Sequence, residues 1–152
     1  MFKKLLMFFC FSFLLFGNLN YSKIKKYNIF FTKASQIYKV PKKVLMAIAF
    51  TENETLNPYI IRHNKNNTYD IGLMQINTLW VKELQYIGLS RKKLLDTENN
   101  IYVSSFILAK LIKRYGYSME TIAKYHSKNP MKQKAWIARF KRHLRNLRML
   151  NL

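Results

Sequence analysis

The sequence predicts an all-α single domain, and three observations carry that prediction. Beyond residue 20, apolar residues recur at i, i+3, i+4 spacing along most of the chain, the mark of amphipathic helices. No stretch alternates convincingly between apolar and polar in the two-residue period of a half-buried strand. The chain has 152 residues, 49 % of them hydrophobic, which suffices for one buried core but not for two ordinary domains.

The N-terminus stands apart from this domain. Met1-Phe2-Lys3-Lys4 precedes an apolar run of 12 residues, Leu5 to Phe16, which exits through Gly17-Asn18. A basic start, a short greasy run and a polar exit describe a secretory signal peptide over residues 1–21, cut between Gly17 and Ser22. The run is shorter than the about 20 residues that span a bilayer. An uncleaved membrane anchor stays open, because no clean small-x-small site follows. Cys10, the single cysteine, lies inside this run, so the domain of residues 22–152 carries no thiol chemistry. The expected location is periplasmic or secreted.

The helices follow in order. Tyr27, Phe30, Phe31, Ala34, Ile37 and Tyr38 share a face of the first. Pro41 suits the first turn of the second, over 41–54, with Val44, Leu45, Ile48 and Ala49 inward, and Asn57-Pro58 ends it. Residues 59–70 are polar and Asn-rich, a loop. A short apolar stretch, Ile71 to Trp80, leads into a helix near Leu79–Tyr86. Asp96 is placed to cap a helix whose face holds Ile101, Ser105, Leu108, Ile112 and Tyr115, and Gly116 to end it. Ser118 could cap a short helix through Tyr125. After Asn129-Pro130, a basic helix over about 131–150 carries Trp136, Phe140, Leu144 and Leu147 on one side.

Charge narrows the chemistry. Lys plus Arg number 27 and Asp plus Glu only 7, a net charge of +20. The carboxylates are Glu52, Glu54, Asp70, Glu83, Asp96, Glu98 and Glu120, and any acid–base site is drawn from these. One Cys and three His exclude zinc-finger and disulfide frameworks. At about 100° per residue, Glu52 falls on the apolar face with Leu45 and Ile48, while Glu54 points to solvent. Burying a carboxylate costs free energy unless it is paired or protonated. An apolar wall favours the protonated form, the form that a general acid needs. Fraying of the helix end would instead leave both carboxylates wet, and helix geometry alone does not choose.

Three blocks resemble the lytic transglycosylases with a lysozyme-like fold. They are Ala47-Ile48-Ala49-Phe50-Thr51-Glu52 with Asn57-Pro58; Tyr69-Asp70-Ile71-Gly72-Leu73-Met74-Gln75-Ile76-Asn77; and Ile122-Ala123-Lys124-Tyr125-His126-Ser127 with Pro130. The resemblance covers roughly residues 30–142 and is closest to the small specialised members that accompany secretion systems, conjugation machines and pili. It implies a lysozyme-like single domain with Glu52 as catalytic acid and base. It also implies a sugar cleft lined by Gly72, Met74 and Gln75, with Tyr125 holding Glu52 or the substrate. Asn77 either supports the cleft or merely caps the following helix. Two departures stand out. Asn53 replaces the Ser that often follows the Glu, and one extra residue separates Glu52 from Asn57-Pro58, so counting back from Pro58 would put Asn53 in the catalytic slot. Helix phase and the Ala-Ile-Ala lead-in select Glu52. His126 stands where many relatives have Asn and receives no role.

The implied substrate is the peptidoglycan glycan strand, cleaved between N-acetylmuramic acid and N-acetylglucosamine with closure of a 1,6-anhydro ring. That route needs no metal and no cofactor. Two alternatives remain: a muramidase-type hydrolase using Asp70 as second carboxylate, and a non-catalytic cationic envelope-binding protein. Residues 131–152 hold Lys132, Lys134, Arg139, Lys141, Arg142, Arg145 and Arg148 with no acid. A solvated basic face, attraction to the anionic envelope, or a membrane-surface contact opposite Trp136 and Phe140 would each account for them. No nucleic-acid-binding motif is present, and nucleic acid is not an expected partner. A secretion, pilus or conjugation apparatus is.

Overall fold

The computed structural model describes residues 21–152; the leader and its Cys10 lie outside these apart from Tyr21. A 3₁₀ turn at Ile24–Tyr27 leads into α1 (Asn28–Tyr38) and α2 (Lys42–Glu52). Three short strands follow, β1 (Ile61–His63), β2 (Tyr69–Ile71) and β3 (Ile76–Asn77), and then α3 (Thr78–Glu83). After 3₁₀ turns at Gln85–Ile87 and Lys93–Leu95 come α4 (Thr97–Tyr115), α5 (Met119–Ala123) and α6 (Pro130–Met149). The architecture is mainly helical, as the periodicity predicts.

Helix α2 is the centre. Every residue from Val44 to Thr51 is buried, because this stretch carries no charge and is covered on several sides, chiefly by α6 and α1. Pro41 sits one position before the helix, where its carbonyl accepts from the Val44 and Leu45 amides. Helix α1 packs mainly on α4. Asp96 caps α4 by accepting from the Asn99 amide at 2.8 Å, and Gly116 (φ +78°) ends it. Its inward face holds Ile101, Ser105 and Leu108, but Tyr115 is exposed, since the helix runs past the core it covers. Ser118 caps α5 through the Thr121 amide. The helix expected near 79–86 is shorter: α3 stops at Glu83 and the chain continues as a 3₁₀ turn.

Residues 59–70 are not all loop. β1, β2 and β3 form an antiparallel sheet in that order, with Ile61 opposite Ile71, Arg62 opposite Asp70 and Ile71 opposite Ile76. These strands are too short to show alternation, and β1 is exposed throughout, so no apolar pattern marks it. Local polar bonds close the hairpin: the Asn64 amide donates to the Thr68 carbonyl at 2.8 Å, and Asn67 takes a positive φ.

One buried side chain pins the chain between sheet and helix. Asn100 of α4 is fully buried. Its Nδ2 donates to the carbonyls of Ile71 (3.0 Å) and Leu94 (2.8 Å), and its Oδ1 accepts from the Met74 amide at 2.7 Å. Gly72 is required here twice over. Its φ is +79°, and a Cβ would strike the Asn100 carboxamide and come within 2.7 Å of the Leu94 carbonyl.

Helix α6 starts at an Asn129 cap with Pro130 in its first turn. It turns Gln133, Trp136, Phe140, His143, Leu144 and Leu147 inward. Trp136 and Phe140 are fully buried, so the apolar face that a membrane-surface helix would need is already used by the core. That expectation is corrected. Among the described residues no helix is long and apolar enough to cross a membrane.

Tyr21, the last residue of the expected leader, is the first of the described residues. Tyr21 is buried against Phe50, its hydroxyl 2.7 Å from His143 Nδ1 and accepting from Asn146 Nδ2 at 3.0 Å. Burial is the largest cause that lowers His143 from 6.5 to about 4; neighbouring Arg142 adds to it and Glu54 opposes it.

Two predictions follow from this packing. Asn100→Ala leaves a buried amide and two buried carbonyls without their partner and should cost about 3 kcal/mol or more in urea unfolding; a loss below about 1 kcal/mol would contradict the pinning role. The unfolded chain takes up the His143 proton near 6.5 and the folded protein only near 4, so stability should fall as pH drops through that window and level off below it. Urea midpoints across the window should show that slope in the parent and a reduced slope in His143→Phe. Equal slopes would refute the assignment.

Candidate active site

Glu52 is the last residue of α2, and its position follows from how that helix ends. Asn53 leaves the helix with a non-helical backbone and is fully buried. Its Nδ2 donates to the Asn57 carbonyl at 2.8 Å and its Oδ1 accepts from the Thr55 hydroxyl at 2.8 Å. The extra residue before Asn57-Pro58 is thus absorbed in a turn built by Asn53, which is structural. Glu52 keeps the helical phase and turns inward.

Its carboxyl lies against α6 and the turn after α5. The side chain is 11 % exposed. Oε1 accepts from the Trp136 indole N–H at 2.8 Å, and the same oxygen lies 3.2 Å from His126 Nδ1. Oε2 has no hydrogen bond among the described residues. Behind the carboxyl, His126, Trp136 and Phe140 form a column of near-parallel rings, with centroid spacings of 6.0 and 5.1 Å. The Glu52 carbonyl accepts from Arg62 Nη1 at 2.9 Å, a cation on a free carbonyl at a helix C-terminus, which also ties β1 to α2. Glu54 does point to solvent: its side chain is 60 % exposed and pairs with Arg142 at 3.0 Å.

The segment 72–77 forms a second group of expected site residues. Met74 is fully buried, so it contributes through its backbone rather than as a wall for a ligand: its amide is held by Asn100 and its carbonyl accepts from the Tyr125 hydroxyl at 2.8 Å. Tyr125 therefore supports this segment; it makes no hydrogen bond to Glu52. Burial is the chief reason its phenol is pushed above the usual tyrosine range; nearby Ser104 opposes that, while the Glu52 and Asp70 charges reinforce it. The phenol remains a neutral donor. Gln75 has φ +50°, donates from Nε2 to the Gly72 carbonyl at 2.8 Å, and leaves Oε1 buried without a partner among the described residues. Asn77 is a cap: its Oδ1 accepts from the Leu79 amide while its Nδ2 donates to Asp70 Oδ1 at 2.7 Å and to Thr68 Oγ1 at 2.9 Å.

The geometry thus brings Glu52 together with Trp136 and His126, and groups Gly72, Met74, Gln75 and Tyr125 around Asn100. The sequence reading missed three of these. Trp136 reads as core by its spacing, but a buried indole N–H needs an acceptor, and that requirement was the available signal. Asn100 sits on an inward helix face, where a carboxamide must be fully bonded. His126 had no signal beyond its place next to Tyr125. Chemically, a nearly buried carboxyl with one oxygen held by an indole N–H and the other unbonded among the described residues is suited to move a proton at its free oxygen.

Comparison with known proteins identifies the family. The family profile described as "Transglycosylase SLT domain" matches residues 29–147. Invasion protein IagB of Salmonella typhimurium is 36 % identical over 96 residues, which cover 62 % of this chain and 59 % of IagB. Protein IpgF of Shigella sonnei is 29 % identical over 103 residues, 67 % of each chain. The X polypeptide of Escherichia coli is 31 % identical over 98 residues, 64 % of this chain and 57 % of that one. The matched part therefore spans less than two thirds of IagB. With the profile covering most of the chain and the site assembled within its bounds, the chain belongs to the SLT-domain transglycosylase family.

Proposed function

We propose that this protein is a peptidoglycan lytic transglycosylase in which Glu52 serves as both acid and base. The observation that carries the reading is the Glu52 carboxyl, 11 % exposed, with Oε1 held by Trp136 and Oε2 unbonded among the described residues. Family membership supports the same chemistry.

The reaction needs one carboxyl. Protonated at Oε2, Glu52 delivers its proton to the oxygen bridging N-acetylmuramic acid and N-acetylglucosamine, and the glycosidic C–O bond breaks. The substrate's own acetamido oxygen meets the positive charge at the sugar carbon. Glu52, now a carboxylate, takes the proton of the muramic 6-hydroxyl as that oxygen bonds to the same carbon. The 1,6-anhydro ring closes, the acetamido oxygen departs, and the carboxyl is protonated again. No water is consumed. Trp136 supports both halves of the cycle, since its N–H is accepted by either form of the carboxyl and more strongly by the ionised one.

The setting is also a proposal. A leader that ends ahead of Tyr21 would deliver the domain to the periplasm or the exterior with its Tyr21–His143 contact intact. Exposed Lys132, Lys134, Arg139, Lys141, Arg145 and Arg148 give α6 an outward cationic face suited to long-range attraction to the anionic envelope. A role in opening the wall locally for a secretion, pilus or conjugation apparatus draws support from the likeness of the chain to a protein named for invasion.

Mass spectrometry of muropeptides released from purified sacculi tests the reaction. The parent should yield anhydro products, and Glu52→Gln should slow their release by about 10²–10⁴-fold, the usual worth of a positioned acid–base group. Reducing-end products, heavier by one water, would instead identify a hydrolase and bring in Asp70. Absence of products from both, with binding to sacculi retained, would favour a cationic envelope-binding protein.

A further inference from the structure

Beside Glu52 stands a cation that the reaction above does not use. We propose that Arg62 binds a carboxylate carried on the muramoyl residue of the substrate, and so fixes the glycan strand in the register that presents its bridging oxygen to Glu52. This rests on the assignment of Glu52 above.

Arg62 is the middle residue of β1 and is exposed. Its Nη1 donates to the Glu52 carbonyl at 2.9 Å. Only the backbone and side chain of one residue separate that carbonyl from the Glu52 carboxyl, so the guanidinium is held close to the reacting proton. Strand alternation sets the side on which it lies. Arg62 pairs with Asp70 and shares a face of the sheet with it, while His63 and Tyr69 take the other face, with ring centroids 4.9 Å apart. The charges of Asp70 and Glu52 both act on the Tyr125 phenol. The face that carries Arg62 is therefore the one turned toward Glu52 and Tyr125.

A guanidinium has five N–H donors, and the bond to Glu52 uses one of them. The others make no hydrogen bond and no ion pair among the described residues. Asp70, the strand partner, is not paired with Arg62; its Oδ1 accepts from Asn77. A planar guanidinium with adjacent donors open matches the two oxygens of a carboxylate. The bond to Glu52 already restricts its orientation, so less freedom is lost when a ligand binds. The substrate supplies the matching group. The lactyl ether of muramic acid ends in a carboxylate where it bears no peptide, and continues into a stem with free carboxylates where it does. Both sources offer the same chemistry, on the sugar whose C1 reacts.

Three soluble glycan strands of equal length test this and separate the sources. One keeps its peptide stems. One has lost them to an amidase, so that the lactyl carboxylate is bare. In the third that carboxylate is coupled to methylamine as a neutral amide. Binding is measured by calorimetry in a Glu52→Gln background, so that turnover does not enter. The neutral strand should bind roughly ten-fold more weakly than the better charged strand, the scale of one charge-assisted hydrogen bond, and the better strand names the source. Arg62→Met added to that background should abolish the preference by weakening the charged strands alone. Arg62→Lys keeps the charge without the fork and should lose most of the preference; it decides the matter should Arg62→Met fail to fold. Equal affinity of all three strands for the protein with Arg62 intact would overturn the proposal. So would an Arg62→Met or Arg62→Lys that retains the full preference, the result expected of diffuse attraction to a cationic surface. An Arg62→Met that weakens all three strands alike would leave Arg62 as a strap between β1 and α2 and nothing more. If Glu52→Gln alone still releases anhydro products, the assignment of Glu52 falls, and KM values of the parent and Arg62→Lys on the three strands decide the role of Arg62.

Discussion

The hydrogen bond from the Trp136 indole to Glu52 joins residues 84 positions apart, and the rest of the site depends on it. Each partner on its own would be costly. A buried indole N–H without an acceptor and a nearly buried carboxyl without a donor both forfeit hydration. Together they satisfy one another and fix the end of α2 against α6. The phase of α6 is therefore constrained from two directions: by its Asn129-Pro130 start and by the need to deliver Trp136 to Glu52. The same phase carries Phe140 beneath the indole and His143 to Tyr21 and Phe50. The C-terminal helix is part of the site, and its basic character is confined to the outward side.

A second constraint acts on segment 71–75. Asn100 bonds the Ile71 carbonyl and the Met74 amide there and ties them to the Leu94 carbonyl, Tyr125 donates to the Met74 carbonyl, and Gly72 and Gln75 adopt positive φ. Backbone held in this way has few alternative arrangements. Gln75 spends its amide nitrogen on the Gly72 carbonyl, while its buried oxygen has no partner among the described residues. The Asn100 carboxamide of α4 and the Tyr125 phenol thus hold the segment that the sequence reading assigned to sugar contact.

Much of this was legible in the sequence because the strongest signals were local. Helix periodicity located α1, α2, α4 and α6, and the caps at Asp96 and Ser118 came from their short polar side chains, whereas Asn129-Pro130 read only as a break. Helix phase separated Glu52 from Glu54, and the structure keeps that separation. The parts that were not legible depend on partners distant in sequence. The sheet was read as loop because its strands hold two or three residues each and β1 buries none of them. Asn77 left two roles open until its bonds to Asp70 and the Leu79 amide showed a cap. Met74 and Tyr125 keep their place beside the expected cleft segment, but they act on each other. Trp136 read as an apolar residue, and periodicity has no means of showing where its one polar atom goes.

The most direct test of the central constraint is the indole proton of Trp136, distinguished from that of Trp80 by Trp80→Phe. In the folded protein it should resonate downfield and exchange slowly with solvent. In Glu52→Ala it should move upfield and exchange markedly faster while the methyl spectrum of the core stays native. An indole proton whose shift and exchange are the same in both proteins would contradict the bond on which the site is built.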